Sequence, residues 1–191
     1  MSASRIEQWN QRYRTGEQVF ETPSPLVAEF AGALAPGLAL DLASGPGRNA
    51  LYLAGRGWRV TAVDGSAIAI DILLERAHAR KLLIDARMLD LEADTLELAS
   101  DTYDLVLSCY FLQRRLIHGM KAALRPGGLL IMIVHLADAD QPHGTPARAY
   151  PGELRSFFDG WSILHYREGE PGESCHRHGV AEVVAQKPAN A

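Results

Sequence analysis

Apolar positions along the chain alternate between two periods. Ile6, Trp9 and Tyr13 recur at helical spacing, so residues 4–14 are predicted as a short helix, with Ser4 as N-cap and Glu7 completing a capping box. Gly16 ends it, and a Pro-rich run at 21–25 marks a turn before a second helical stretch at 26–34. From Leu38 onward, short continuous apolar runs alternate with helical ones. Strands are predicted at 38–43, 58–64, 84–91, 103–110 and 129–134, with one helix opening after Gly47 and another over 67–81 capped by Ser66. Near-continuous apolar runs suit parallel strands covered on both faces, and the strand–helix alternation predicts a doubly wound α/β sheet. After Pro151 the pattern changes. A short helix at 152–160 precedes strands at 162–168 and 180–187, which are joined by a loop and so are expected to be antiparallel neighbours. Residues 137–152 read as an irregular loop.

At 191 residues the chain suits one sizeable α/β domain. The expected organisation is a single domain, with an N-terminal helical lid at 1–37, a ligand-binding core at 38–136 and a substrate-side region at 137–191. A net charge of −4 counts against a nucleic-acid partner. No apolar run approaches the roughly 20 residues of a spanning helix, and the charged N-terminus lacks the apolar centre of a secretory signal, so neither membrane insertion nor export is expected. Cys109 and Cys175 are too few for a disulfide framework, which points to a soluble cytoplasmic protein. Nothing in the sequence specifies an oligomeric state.

The chemistry concentrates between Leu40 and Asp64. Gly45-Pro46-Gly47-Arg48-Asn49-Ala50 matches the Gly-x-Gly-x-x-Ala dinucleotide fingerprint, in a loop that leaves a strand and opens a helix. In an NAD site such a loop admits a pyrophosphate to the helix N-terminus. Here Asp41 stands just before the turn, a poor neighbour for pyrophosphate and a good one for a cation. S-adenosyl-L-methionine has a sulfonium, an α-ammonium, a ribose diol and no phosphate. Asp41 is placed to attract its ammonium end, although an Asp at that point also suits a helix cap. Gly45 and Gly47 let backbone approach a ligand without a Cβ in the way. Asp64, 23 positions after Asp41, is placed to accept both ribose hydroxyls, a role NAD proteins share.

With those residues in view, the chain resembles the class I S-adenosylmethionine-dependent methyltransferases. ALDLASGPGRNALYLAGRGWRVTAVDGS resembles their first two motifs, MLDLE the segment whose acid meets the adenine, YDLVLSCYFL the fourth strand and its exit, and LRPGGLLIMIV the turn into the fifth. WNQRYRTGE, the GRN after the glycine loop, and GELRSFFDGWSILHYREGEPGESCHR bring it nearest the tellurite-resistance and thiopurine-methyltransferase-like branch. The resemblance implies a Rossmann-like, seven-stranded, mostly parallel sheet whose last strand is antiparallel. It implies a cofactor site of Asp41, Ala43, Gly45, Gly47, Arg48, Asn49, Asp64, Gly65 and Ser66, with Asp90 and Leu91 at the adenine and Ser108 and Cys109 beside the methyl donor. Trp9, Tyr13 and Arg14 would cover the cofactor, though aromatics four apart on a helix are commonly simple packing. Tyr110, Phe111 and His135 would face the acceptor. His176-Arg177 aligns with a His-Arg of the branch, a pair able to hold an oxyanion or take a proton.

The implied reaction is in-line transfer of a methyl group from S-adenosyl-L-methionine to a small molecule, an oxyanion such as tellurite or a thiol, leaving S-adenosyl-L-homocysteine. Enzymes that methylate base amines of nucleic acids often carry an Asn/Asp-Pro-Pro-aromatic run where this chain has Ser-Cys-Tyr-Phe. Cys175, His176 and His178, with His143 or His165, do not have zinc-finger spacing, and no metal is expected. Two other readings remain open at this point: an NAD-dependent oxidoreductase, from the fingerprint, and a non-catalytic module that keeps the cofactor pocket.

Overall fold

Seven strands and six helices alternate along the computed structural model, which describes residues 3–93, 96–138, 145–173 and 178–189. Helices α1 (Ala3–Arg14) and α2 (Pro25–Gly32) precede β1 (Leu38–Leu42), α3 (Arg48–Ala54), β2 (Arg59–Asp64), α4 (Ala67–Ala79) and β3 (Ile84–Met88). Then come β4 (Tyr103–Cys109), α5 (Leu116–Ala123), β5 (Leu124–His135), α6 (Glu153–Ser156), β6 (Ser162–Gly169) and β7 (Val180–Gln186). The strands form one seven-stranded sheet in the order β3-β2-β1-β4-β5-β7-β6. This is the expected α/β sheet, and its antiparallel member is the last strand in the chain.

The chain divides into compact units at residues 1–96 and 97–191. In the first, β1 pairs with β2 and β2 with β3, all parallel, with Asp41 opposite Ala62 and Asp64 opposite Met88. Each crossover carries a helix, as parallel neighbours require. Ala39, Leu40 and Leu42 of β1 are buried, as are Val60, Ala62 and Val63 of β2, which explains their largely apolar character. In the second unit β4 and β5 are parallel, and β7 lies antiparallel between β5 and β6. Leu129 to Val134 of β5 are buried without a break.

Several boundaries differ from the sequence pattern. Helix α1 already includes Ala3, so Ser4 lies inside it rather than at its cap, and the Glu7 carboxylate accepts from Asn10 and Arg14 instead. Strand β3 stops at Met88, and residues 91–93 form a turn. Strand β5 begins at Leu124 because Tyr103 pairs there before a register shift. Helix α5 was not predicted; it buries Leu116, Ile117, Met120 and Ala123. Helix α6 is a single turn, and bridges at Leu136–Ala149 and Thr145–Arg148 order part of the stretch expected to be irregular. Ser66 does cap α4, accepting the Ala69 amide at 3.1 Å. Among the described residues no helix is long and apolar enough to cross a membrane.

Candidate functional site

Asp41 is buried on β1, and its carboxylate is divided between two tasks. It accepts a hydrogen bond from the Ala50 amide in the first turn of α3, and Oδ2 is buried with no partner. Burial, reinforced by the charge of Asp64 and opposed by Arg48, pushes Asp41 up to about 7. The cap reading and the ligand reading thus fall on different oxygens of one side chain.

Asp64 closes β2 and is also buried, which raises it above the ordinary carboxylate range despite the backbone amides it receives. Its Oδ2 accepts the Gly45 amide and its Oδ1 the Ser66 amide, each at 2.8 Å, and Gly65 adds a backbone bond. Asp64 therefore ties the loop after β1 to the loop after β2. An ionised carboxylate has about four lone-pair sites, so the amides leave room for a further donor.

The glycines have an internal reason to be bare. Gly47 caps α3 with φ +82°, and a Cβ there would come within 2.1 Å of Leu73 Cδ1 on α4. At Gly45, φ +54°, a Cβ would lie 3.1 Å from Tyr13 Oη. Ala43 takes φ +55° without being glycine, a left-handed conformation that costs an L-residue about 1–2 kcal/mol. Arg76 supports the loop from α4, donating to Pro46 O at 2.9 Å and to Phe20 O at 2.8 Å. Arg48 lies over the Phe20 ring, 5.1 Å from its centroid. Asn49 is turned inward, its Oδ1 accepting the Ser24 amide at 2.9 Å, so it joins α2 to α3.

Helix α1 lies against these loops. Tyr13 is buried with its hydroxyl at Gly45, and burial together with Asp64 raises its phenol above the ordinary value. Trp9 stacks on Tyr13 at 5.6 Å and carries Arg12 over its own face. Arg14 does not join this group, being exposed and paired with Glu7 at 2.8 Å. After β3, Asp90 accepts the amides of Glu92 and Ala93, at 2.9 and 3.2 Å, so its carboxylate shapes the turn, and Leu91 is buried beneath it.

In the second unit, Ser108 is buried and donates to Phe111 O at 3.2 Å, while Cys109 beside it is half-buried. Tyr110 has φ +62°, an outlier for an aromatic residue. Its amide donates to Ile133 O at 2.6 Å and its hydroxyl to Glu173 at 2.7 Å. The His135 ring lies 5.3 Å from Tyr110 and 6.0 Å from His178. Arg148 donates to Asp138 at 2.8 Å and lies 3.3 Å from His178 Nδ1. Arg114 forms a two-point pair with Glu153, at 2.5 and 2.8 Å, and donates to Thr145 O at 2.8 Å. Among the described residues, no group of three or more His, Cys, Asp or Glu could hold a metal ion. His176, Arg177, Cys175 and His143 lie outside the described residues.

The sequence reading passed over Asn10 and Ser44. Asn10 accepts the Ser66 hydroxyl at 2.6 Å, and the Ser44 hydroxyl is buried without a partner in the glycine loop. Ser44 was legible from its place between Asp41 and Gly45. Asn10 had no such signal, because its partner is 56 residues away.

The sequence model of a family described as Tellurite resistance protein TehB matches residues 8–179. A protein named Hemagglutinin 1 from Eikenella corrodens is 32% identical over 153 residues, covering 77% of this chain and 51% of that protein. The probable S-adenosyl-L-methionine-dependent methyltransferase TehB of Haemophilus influenzae is 29% identical over 148 residues, covering 74% of this chain and 52% of its own. The crystal structure of TehB from that organism superposes with a TM-score of 0.74 at 26% identity, over 93% of this chain and 67% of the other. The chain spans about half the length of both sequence relatives.

Proposed function

The chain belongs to the TehB family of tellurite-resistance proteins, and from that footing we propose that it is an S-adenosyl-L-methionine-dependent methyltransferase acting on a small-molecule acceptor. The observation that carries this reading is Asp41, a buried carboxylate with one unpartnered oxygen, held close enough to a second buried carboxylate to feel its charge. Such a place favours an ammonium or sulfonium and opposes the pyrophosphate of a dinucleotide. The NAD reading of the Gly-x-Gly-x-x-Ala run is therefore the weaker one. The probable methyltransferase activity in the name of the Haemophilus relative supports the same assignment.

In this proposal Asp41 Oδ2 takes the ammonium end of the cofactor and Asp64 the ribose diol. The backbone of Ala43, Gly45, Gly47 and Gly65 lies along the ligand, Ser66 and Leu91 border it, and Trp9 and Tyr13 cover it. Ser108 and Cys109 border the methyl donor. When bound, S-adenosyl-L-methionine supplies an electrophilic methyl group on a sulfonium, and the protein's part is alignment and exclusion of water. Tyr110, Phe111 and His135 contact the acceptor, an oxyanion such as tellurite or a thiol. An acceptor that arrives as an anion needs no base; for one that arrives protonated, His176 and Arg177 are the proposed proton acceptor and anion holder.

Isothermal titration with S-adenosylhomocysteine and with NAD tests the cofactor, and a labelled-methyl screen over tellurite, selenite and small thiols tests the transfer. We expect binding of the first nucleoside alone and label in at least one acceptor. Tight NAD binding without S-adenosylhomocysteine binding would overturn the assignment. Cofactor binding with no transfer to any acceptor would reduce it to a binding module.

A further inference from the structure

Helix α1 holds the ends of all three strands of its unit. Arg5 pairs with Glu92 in the turn after β3 at 2.7 Å, Asn10 takes the Ser66 hydroxyl after β2, and Tyr13 lies on Gly45 after β1. The middle contact differs in kind from its neighbours. Ser66 is fully buried and its hydroxyl has one proton. One of its lone pairs accepts the Ala69 amide, and the proton goes to Asn10 Oδ1 at 2.6 Å. The Asn10 amide is oriented for this by its own donation to Glu7 at 3.1 Å.

The Ser66 amide already donates to Asp64 Oδ1 at 2.8 Å, and the hydroxyl oxygen is three bonds from that nitrogen, so this carboxylate is an acceptor to which a released Ser66 hydroxyl can turn. A carboxylate that already receives the Gly45, Gly65 and Ser66 amides has little capacity left, and an added internal donor would compete with any ligand for it. We propose that Asn10 is a positioning residue: by holding the Ser66 proton away from Asp64, it keeps that carboxylate open to the diol of a bound nucleoside. It acts through Ser66 and touches no reacting atom. The inference rests on the cofactor reading above and adds to it a residue to which the sequence motifs assign no role.

The test uses the full chain, with S-adenosylhomocysteine and its 2′,3′-dideoxy analogue as calorimetric probes. Asn10→Ala keeps α1, since alanine is the better helix former, and should weaken S-adenosylhomocysteine about three- to tenfold, the scale of one hydrogen bond. Asn10→Asp retains an acceptor for Ser66 and should recover most of that loss. With the dideoxy analogue, the unaltered chain and Asn10→Ala should bind within about twofold of each other, because the competition concerns hydroxyls alone. An equal penalty for both probes would show a merely structural role and overturn the proposal. So would an unchanged affinity for S-adenosylhomocysteine in Asn10→Ala. If the unaltered chain binds neither probe, the cofactor reading falls and this inference with it, a result distinct from the other two.

Discussion

Asp41 and Asp64 stand on adjacent parallel strands, Asp41 opposite Ala62 and Asp64 two residues beyond, and the charge of one raises the proton affinity of the other. Two buried carboxyls side by side are costly unless a proton or a cation relieves them. Below pH 7 a proton does so in the absence of ligand, and in the proposed complex the cation replaces it.

Stability should therefore depend on pH through Asp41. Its folded value of about 7 exceeds the ordinary 3.8, so the folded state keeps a proton that the unfolded chain releases. The stability this contributes is complete below pH 4 and is lost as pH rises through 7, about 4 kcal/mol in all. Urea unfolding of the unaltered chain and of Asp41→Asn at pH 5 and pH 8 checks this. From pH 5 to pH 8 the unaltered chain should lose about 2.5 kcal/mol relative to the variant, and parallel behaviour would remove Asp41 as the cause.

Ligand affinity should run the opposite way. A cation beside Asp41 needs the ionised form, so S-adenosylhomocysteine, through its ammonium, should bind about tenfold more weakly at pH 6 than at pH 8. Asp41→Asn should flatten the profile and weaken binding at pH 8 by about 1.5–3 kcal/mol. Calorimetry across that range measures both effects.

Gly47→Ala should be strongly destabilising. The new Cβ would meet Leu73 at 2.1 Å while the backbone sits at φ +82°. Overpacking and left-handed strain together set the cost at about 2–4 kcal/mol, read as a fall in the urea midpoint.

Ala43→Gly should act in the other direction. It releases the strain of φ +55° and stabilises by about 0.5–1 kcal/mol, after allowance for the greater freedom of glycine when unfolded. A drop in thermal midpoint would show that the Ala43 methyl contributes more than the strain costs.

Glu153→Gln should loosen residues 145–153. Glu153 is buried and Arg114 only partly so, which places the loss at about 2–3 kcal/mol, below that of a fully buried pair. Hydrogen exchange at the Tyr150 amide, which donates to Glu153 at 3.1 Å, should accelerate alongside the stability loss.

The sheet was legible because parallel strands buried on both faces are written as near-continuous apolar runs, as in β1, β2, β4 and β5. Helix α5 was not, since it is only eight residues long, holds Gly119 in its middle and follows Arg114-Arg115 without a capping side chain. Asp41 and Asp64 stood out as acids closing apolar strands. Their division of labour did not, because it depends on which backbone amides reach each oxygen. Asn49 illustrates the limit: it sits inside the glycine motif, yet its partner, Ser24, lies 25 residues earlier and leaves no trace in local spacing.

The grip of α1 also bears on how the chain is made. Arg5 and the glutamate it holds are 87 residues apart, and Asn10 and Ser66 are 56 apart. During synthesis α1 must therefore wait, undocked, until the third strand and its turn have emerged. Until then its Trp9–Tyr13 pair is open to chaperone capture, and slowing translation of the stretch from residue 15 to residue 92 would lengthen that exposure.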